Sequence, residues 1–155
     1  MMDSCNKTSE EREQLYAQVI ARINQGDGYA AASHITITDM GEGRASGELE
    51  VKPDSLNPYG MVHGGCLATL ADTVAGVAVH SCGLTCVTLN CSMNYLRPAG
   101  GSKIYCEATV QKAGRTIQVC EARLTDSQGE CVASGTFTYY IVGPGLGNKK
   151  AKKTV

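Results

Sequence analysis

The sequence predicts an α+β fold in which a mostly antiparallel β-sheet wraps around one long helix. Three observations carry this. The run from Gly64 to His80 is apolar almost all the way round, so it has to be covered on its sides. Four strand-like runs follow it with no helix between them, and runs of strands favour antiparallel neighbours over βαβ crossovers. A further pair of alternating runs precedes it as a hairpin.

The elements follow in order. Residues 8–24, TSEEREQLYAQVIARIN, form an amphipathic helix. Thr8 followed by Glu11 fits a capping box. Leu15, Val19 and Ile23, joined by Tyr16 and Ile20, make its apolar face, and GDGY ends it. ASHITIT and GRASGELEV alternate at period two around the turn DMGEG, with Ala45, Gly47, Leu49 and Val51 on one face. The loop KPDSLNPYGMV leads to the long helix. TCVTLNCSMNYL is rich in β-formers and is broken by Arg97-Pro98 and AGG. SKIYCEATVQK sets Ile104, Cys106, Ala108 and Val110 against Tyr105, Glu107, Thr109 and Gln111. AGR turns into TIQVCEARLTD, and SQGE turns into CVASGTFTYYIV. The chain divides into a helical extension (1–28), one α+β domain (29–142) and a flexible basic tail (143–155) holding GPGLGN and KKAKK.

Composition narrows the function classes. A chain of 155 residues, 43% apolar and 19% charged, suits one globular domain. A net charge of −1 without a basic stripe argues against a nucleic-acid partner. MMDSCNKTSEEREQ has no signal-peptide pattern, and no apolar run approaches the ~20 residues of a membrane span. A cytoplasmic protein is expected. The eight cysteines, at 5, 66, 82, 86, 91, 106, 120 and 131, form no CxxC pair. With His34, His63 and His80 they make no zinc pattern, so reduced, mostly buried thiols and no metal are expected. Cys66, three residues after His63, is a minor candidate nucleophile.

Within the long helix, Gly65, Thr69, Asp72, Thr73, Gly76 and His80 fall on one narrow stripe. Asp72 therefore sits among small or hydroxylated residues that leave space beside it. A hydrogen-bonded or surface carboxylate is one reading. The other is a general base or nucleophile. Glycine at 76 costs about 1 kcal/mol of helix propensity, which a close approach by another backbone or chain would explain. Gly64 and Gly65 open the helix, so their N–H groups lack intrahelical acceptors. Two such donors at a helix N-terminus have the geometry of an oxyanion hole, where one donor is worth about 3 kcal/mol. HGG alone is a common turn. Asn57-x5-His63-Gly64-Gly65-x6-Asp72 ahead of a β-rich half is much more specific.

At NPYGMVHGGCLATLAD, VTLNCSMNYLRPA, KAGR and GECVASGTFTYYI the sequence resembles the hotdog-fold thioesterases, in particular the phenylacetic-acid-degradation branch of acyl-CoA thioesterases. The similarity spans roughly residues 30–142. It implies the hotdog fold, a helix wrapped by an antiparallel sheet, and hydrolysis of an acyl-CoA thioester without metal or added cofactor. By this resemblance Asp72 activates or supplies the nucleophile, and the Gly64 N–H polarises the thioester oxygen. Asn57 holds the carbonyl or the attacking water, His63 positions the site, and Thr88 orients water. It also implies a homodimer with sites built across its interface, Asn57 and Gly64 facing the other subunit's Asp72, and pairing into tetramers. Coenzyme A needs phosphate contacts. Arg97, Lys112 and Arg115 flank turns, Gly114 would let a phosphate approach, and Gly65 lies beside the substrate. For the three cations, solvated turn charge is an equal reading. An acyl-thioester hydratase using His63 and Asp72, or an acyl-CoA binding module without turnover, are the alternatives. The acyl group is undetermined, since Tyr59 and Tyr95 suit aryl and alkyl groups equally.

Overall fold

The computed structural model of the protein describes residues 8–145. Helix α1 (Ser9–Asn24) begins at a full capping box, in which the Thr8 hydroxyl accepts from the Glu11 N–H and the Glu11 carboxylate accepts from the Thr8 N–H. A single turn of helix, α2 (Tyr29–Ala32), follows; the sequence reading did not separate it from the loop. Strands β1 (Ile35–Gly41) and β2 (Arg44–Glu50) form the expected hairpin. Its turn is shorter than DMGEG. The strand continues through Gly41, and only Glu42 and Gly43 turn the chain, with Gly43 at φ +70°. The central helix α3 (Gly64–Ser81) is followed by β3 (Leu84–Tyr95), β4 (Lys103–Ala113), β5 (Ile117–Thr125) and β6 (Cys131–Pro144).

All six strands form one antiparallel sheet in the order β1-β2-β4-β5-β6-β3. The sheet curls around α3, whose Leu67, Leu70, Ala71, Val74, Ala75, Ala78 and Val79 are buried against it. Ile104, Cys106 and Ala108 point inward from β4 and Tyr105, Glu107 and Thr109 outward, as the alternation predicts. The stripe carrying Asp72 is largely half-buried and borders a cleft between α3 and β3.

Two strands lie at the edges. At β1, helix α1 lies over the sheet, and the side-chain amide of Asn24 mimics a neighbouring strand. Its Nδ2 donates to the Ile37 carbonyl (2.8 Å), and its Oδ1 accepts from the Ile37 N–H (2.9 Å). At β3 no strand among the described residues pairs with the outer side, and most of its residues are exposed. Residues 146–155, with the lysines of the basic tail, lie outside the described residues, as does Cys5. The other seven cysteines are free thiols.

Candidate active site

Asp72 stands in the middle of α3, and two hydroxyls hold its carboxylate from the sheet. Thr88 of β3 donates to Oδ1 at 2.8 Å, and Tyr139 of β6 donates to the same oxygen at 3.1 Å. The Tyr139 hydroxyl also lies 2.9 Å from the Asp72 backbone carbonyl. Burial, then the Asp72 charge, push the Tyr139 phenol far above its ordinary range, so it stays a proton donor. Among the described residues Oδ2 receives no hydrogen bond. Asp72 lines a cleft of about 300 Å³ between α3 and β3, together with Thr73, Gly76, Val77, Val87 and His80 among others. A carboxylate with one oxygen fixed and the other open is placed to take a proton from water or to attack an electrophile.

Thr88 spends its only proton on Asp72, so it can meet a water only as an acceptor. Tyr139 was not singled out in the sequence, although one signal was available. The inward phase of β6 through Ala133, Gly135 and Phe137 continues to Tyr139 and excludes Tyr140. Gly76 meets no backbone within van der Waals range; a Cβ there would touch the Tyr139 ring at 3.8 Å, an ordinary contact. Within the single chain it lines the cleft, with no other backbone close to it. Cys86 also lines the cleft, but burial and then the Asp72 charge push its thiol up to about 11, and it is protonated at neutral pH.

The start of α3 departs from the expected pair of free donors. His63 is the N-cap, and its Nδ1 accepts from the Gly65 N–H at 2.8 Å. That bond needs a lone pair on Nδ1, so the ring proton sits on Nε2. Gly65 is thus occupied by the cap and is not a second donor. The Gly64 N–H has no acceptor among the described residues. Asn57 lies in the loop before it. Its Oδ1 accepts from the N–H groups of Tyr59 (2.9 Å) and Met61 (3.1 Å), and its Nδ2 donates to nothing among the described residues. Burial, then the Asp54 charge, raise the Cys66 thiol pKa, and Nδ1 of His63 is engaged as the cap, so neither favours a Cys66 thiolate.

Gly64 and Asp72 are eight residues apart on one straight helix, about 12 Å. They cannot grip the same carbonyl within one chain. His63 is farther still, which removes the paired His63–Asp72 of a hydratase from the single chain. The aromatic ring of Tyr95 lies against Gly64, so the Gly64 end of α3 is level with the end of β3, while Asp72 is level with Thr88.

The candidate phosphate-binding residues are also separated. Arg97 follows β3 and is ion-paired with Glu130. Lys112 and Arg115 sit at the β4–β5 turn at the other end of the sheet. Along β6, Ala133 beside Tyr95 and Tyr140 beside Ile117 are seven residues, about 23 Å, apart. Lys112 and Arg115 make no ion pair among the described residues. Gly114 has a structural cause: a Cβ there would lie 2.3 Å from the Ile117 carbonyl oxygen. Among the described residues no cluster of three or more His, Cys, Asp or Glu side chains could hold a metal, and no helix is long and apolar enough to cross a membrane.

Residues 59–133 match the family model described as the thioesterase superfamily. The acyl-coenzyme A thioesterase PaaI of Escherichia coli is 34% identical over 110 residues, 70% of this chain and 79% of that protein. The chain belongs to the hotdog-fold thioesterases, in their PaaI-like branch. The solved structure of the E. coli PaaI protein from the phenylacetic acid degradation operon superposes with a TM-score of 0.79 at 28% identity, covering 86% of this chain and 97% of that one. A hypothetical thioesterase from Streptococcus pneumoniae, solved with coenzyme A, gives a TM-score of 0.69 at 35% identity over 72% and 90% of the two chains. In this PaaI-like chain the family-matched segment holds His63, Gly64, Asp72 and Thr88. It leaves out Asn57, Tyr139 and all of α1.

Proposed function

We propose that the protein hydrolyses acyl-CoA thioesters as a homodimer whose two sites are each shared between the chains. The observation that carries this is the Asp72 carboxylate, which lines the cleft and is held at Oδ1 by Thr88 and Tyr139, while Oδ2 has no hydrogen-bond partner among the described residues. The thioester carbonyl lies beside it, with its oxygen on the Gly64 N–H and the Asn57 amide of a second copy. Asp72 takes a proton from water as the water oxygen attacks the carbonyl carbon. The negative charge moves to the carbonyl oxygen, where the two donors and the positive end of α3 stabilise it. The C–S bond then breaks, coenzyme A leaves as the thiolate and recovers a proton, and the free acid remains. Direct attack by Oδ2, giving a mixed anhydride that water then cleaves, uses the same groups.

The second copy is supported by the 12 Å gap and by the bare β3 edge. An edge strand with unpaired N–H and C=O groups and exposed Val87, Leu89 and Tyr95 is a template for strand pairing. Antiparallel addition at β3 carries the Tyr95 and Gly64 end of one copy toward the Thr88 and Asp72 end of the other. The same operation brings Arg97 of one copy toward Lys112 and Arg115 of the other, a phosphate-binding rim for coenzyme A. Such dimers can pair further into tetramers. Seven free described thiols suit a reducing compartment, and the cytoplasm is the proposed location.

Free-thiol release from short, medium, long and aryl acyl-CoAs tests this reading. Wild type is expected to hydrolyse some members, and Asp72→Asn to lose at least about 100-fold in rate while still binding acyl-CoA. Binding by both proteins with no thiol released by either would leave an acyl-CoA binding module.

A further inference from the structure

The cleft at Asp72 has a wall that the family-matched segment does not supply. Its floor is the stripe of α3, and one side is β3 from Thr85 to Thr88. The other side is Ile23, in the last turn of α1. With Val77 and Val87, Ile23 makes the apolar part of the lining, which suits an acyl group better than the amide-rich arm of coenzyme A. Its place is fixed on both sides. The next residue, Asn24, is clamped to the Ile37 backbone, and one helical face back along α1 the Tyr16 hydroxyl donates to the Ser81 carbonyl at 3.2 Å. A side chain on a pinned helix can act as a size gauge in a way that one on a loose segment cannot.

We propose that Ile23 is a specificity-determining residue: it stops the acyl group in the cleft beyond Asp72 and so sets the acyl length the enzyme accepts. The inference rests on the thioesterase reading. The N-terminal helix would then be part of the substrate site as well as a cover for the sheet edge.

The test is the kcat/KM ratio for dodecanoyl-CoA over hexanoyl-CoA, measured on one preparation of each variant. A ratio is independent of the folded fraction, so a merely destabilised protein does not move it. Ile23→Ala is expected to raise the ratio about tenfold, and Ile23→Phe to lower it about tenfold, the scale on which apolar pockets discriminate single methylenes. Ile20→Ala removes a side chain of the same helix that packs on the core without lining the cleft, and is expected to leave the ratio at the wild-type value. An unchanged ratio in both Ile23 variants, or an equal shift in Ile20→Ala, overturns the proposal while the thioesterase reading stands. Absence of hydrolysis of every acyl-CoA by wild type defeats that reading itself, and this proposal with it.

Discussion

At the β1 edge of the sheet the Asn24 amide satisfies the outward N–H and C=O of Ile37 and α1 lies over the strand, whereas at the β3 edge Val87 and Leu89 are 50% and 57% exposed, with no further strand among the described residues. Among the described residues the chain closes one edge of the sheet and leaves the other open. An open hydrophobic edge strand of 12 residues invites aggregation unless it has a dedicated partner. The open edge is also the one whose Thr88 holds Asp72. In the proposed dimer, assembly and chemistry fall on the same strand, while the α1 that covers the closed edge also supplies Ile23 to the cleft wall.

The comparison can be broken most severely at β3. Leu89 is the bulged residue between Thr88 and Asn90, exposed in the single chain, so Leu89→Lys should leave the monomer folded. Sedimentation is expected to show a monomer with an unchanged far-UV CD spectrum, and thioester hydrolysis is expected to fall about 100-fold with the loss of the second copy's donors. A dimer of full activity would show that the open edge is not the interface.

Removing the hydroxyls that fix Asp72 should have a smaller effect. Thr88→Ala and Tyr139→Phe each delete a hydrogen bond to a charged oxygen, worth about 1.5 kcal/mol or more, so kcat should drop about tenfold in each. Dimerisation and KM should stay near wild type in steady-state kinetics. If kcat is unchanged in both, the held oxygen is not what positions the base.

The smallest effect belongs to the closed edge. Asn24→Ala leaves the Ile37 N–H and C=O without their partner and should cost about 1–2 kcal/mol in urea unfolding, with the oligomeric state unaltered. A shift to higher oligomers would mean that the amide guards the edge against pairing as well as stabilising it.

The parts of this molecule that were legible in the sequence are those set by local spacing. The capping box at Thr8 and Glu11, the apolar breadth of α3 with its polar stripe, and the alternation in β4 each depend on residues a few positions apart. What was not legible depends on register between distant segments. Tyr139 reaches Asp72 across 67 residues; the alternation along β6 turns it and not Tyr140 inward, but only the strand pairing brings it level with Asp72. The composition of β3 marks a strand but not an edge, because its position beside β6 follows from the crossover around α3. Gly65 looked like a free donor because imidazole is not a favoured cap, yet His63 occupies it. Arg97 looked like a free cation until Glu130 was brought beside it.

The shared site can be tested directly by mixing two inactive variants. Asp72→Asn and Asn57→Ala each disable every site of their own homodimer. In a mixed dimer with sites built across the chains, one of the two sites receives the intact Asp72 from one chain and the intact Asn57 from the other. Co-refolding the two variants in equal amounts and measuring thiol release should therefore restore about a quarter of the wild-type rate, since half the dimers are mixed and each has one intact site. No recovery, with mixed dimers shown to be present, would mean that Asp72 and Asn57 do not act across chains, and would contradict the shared-site account.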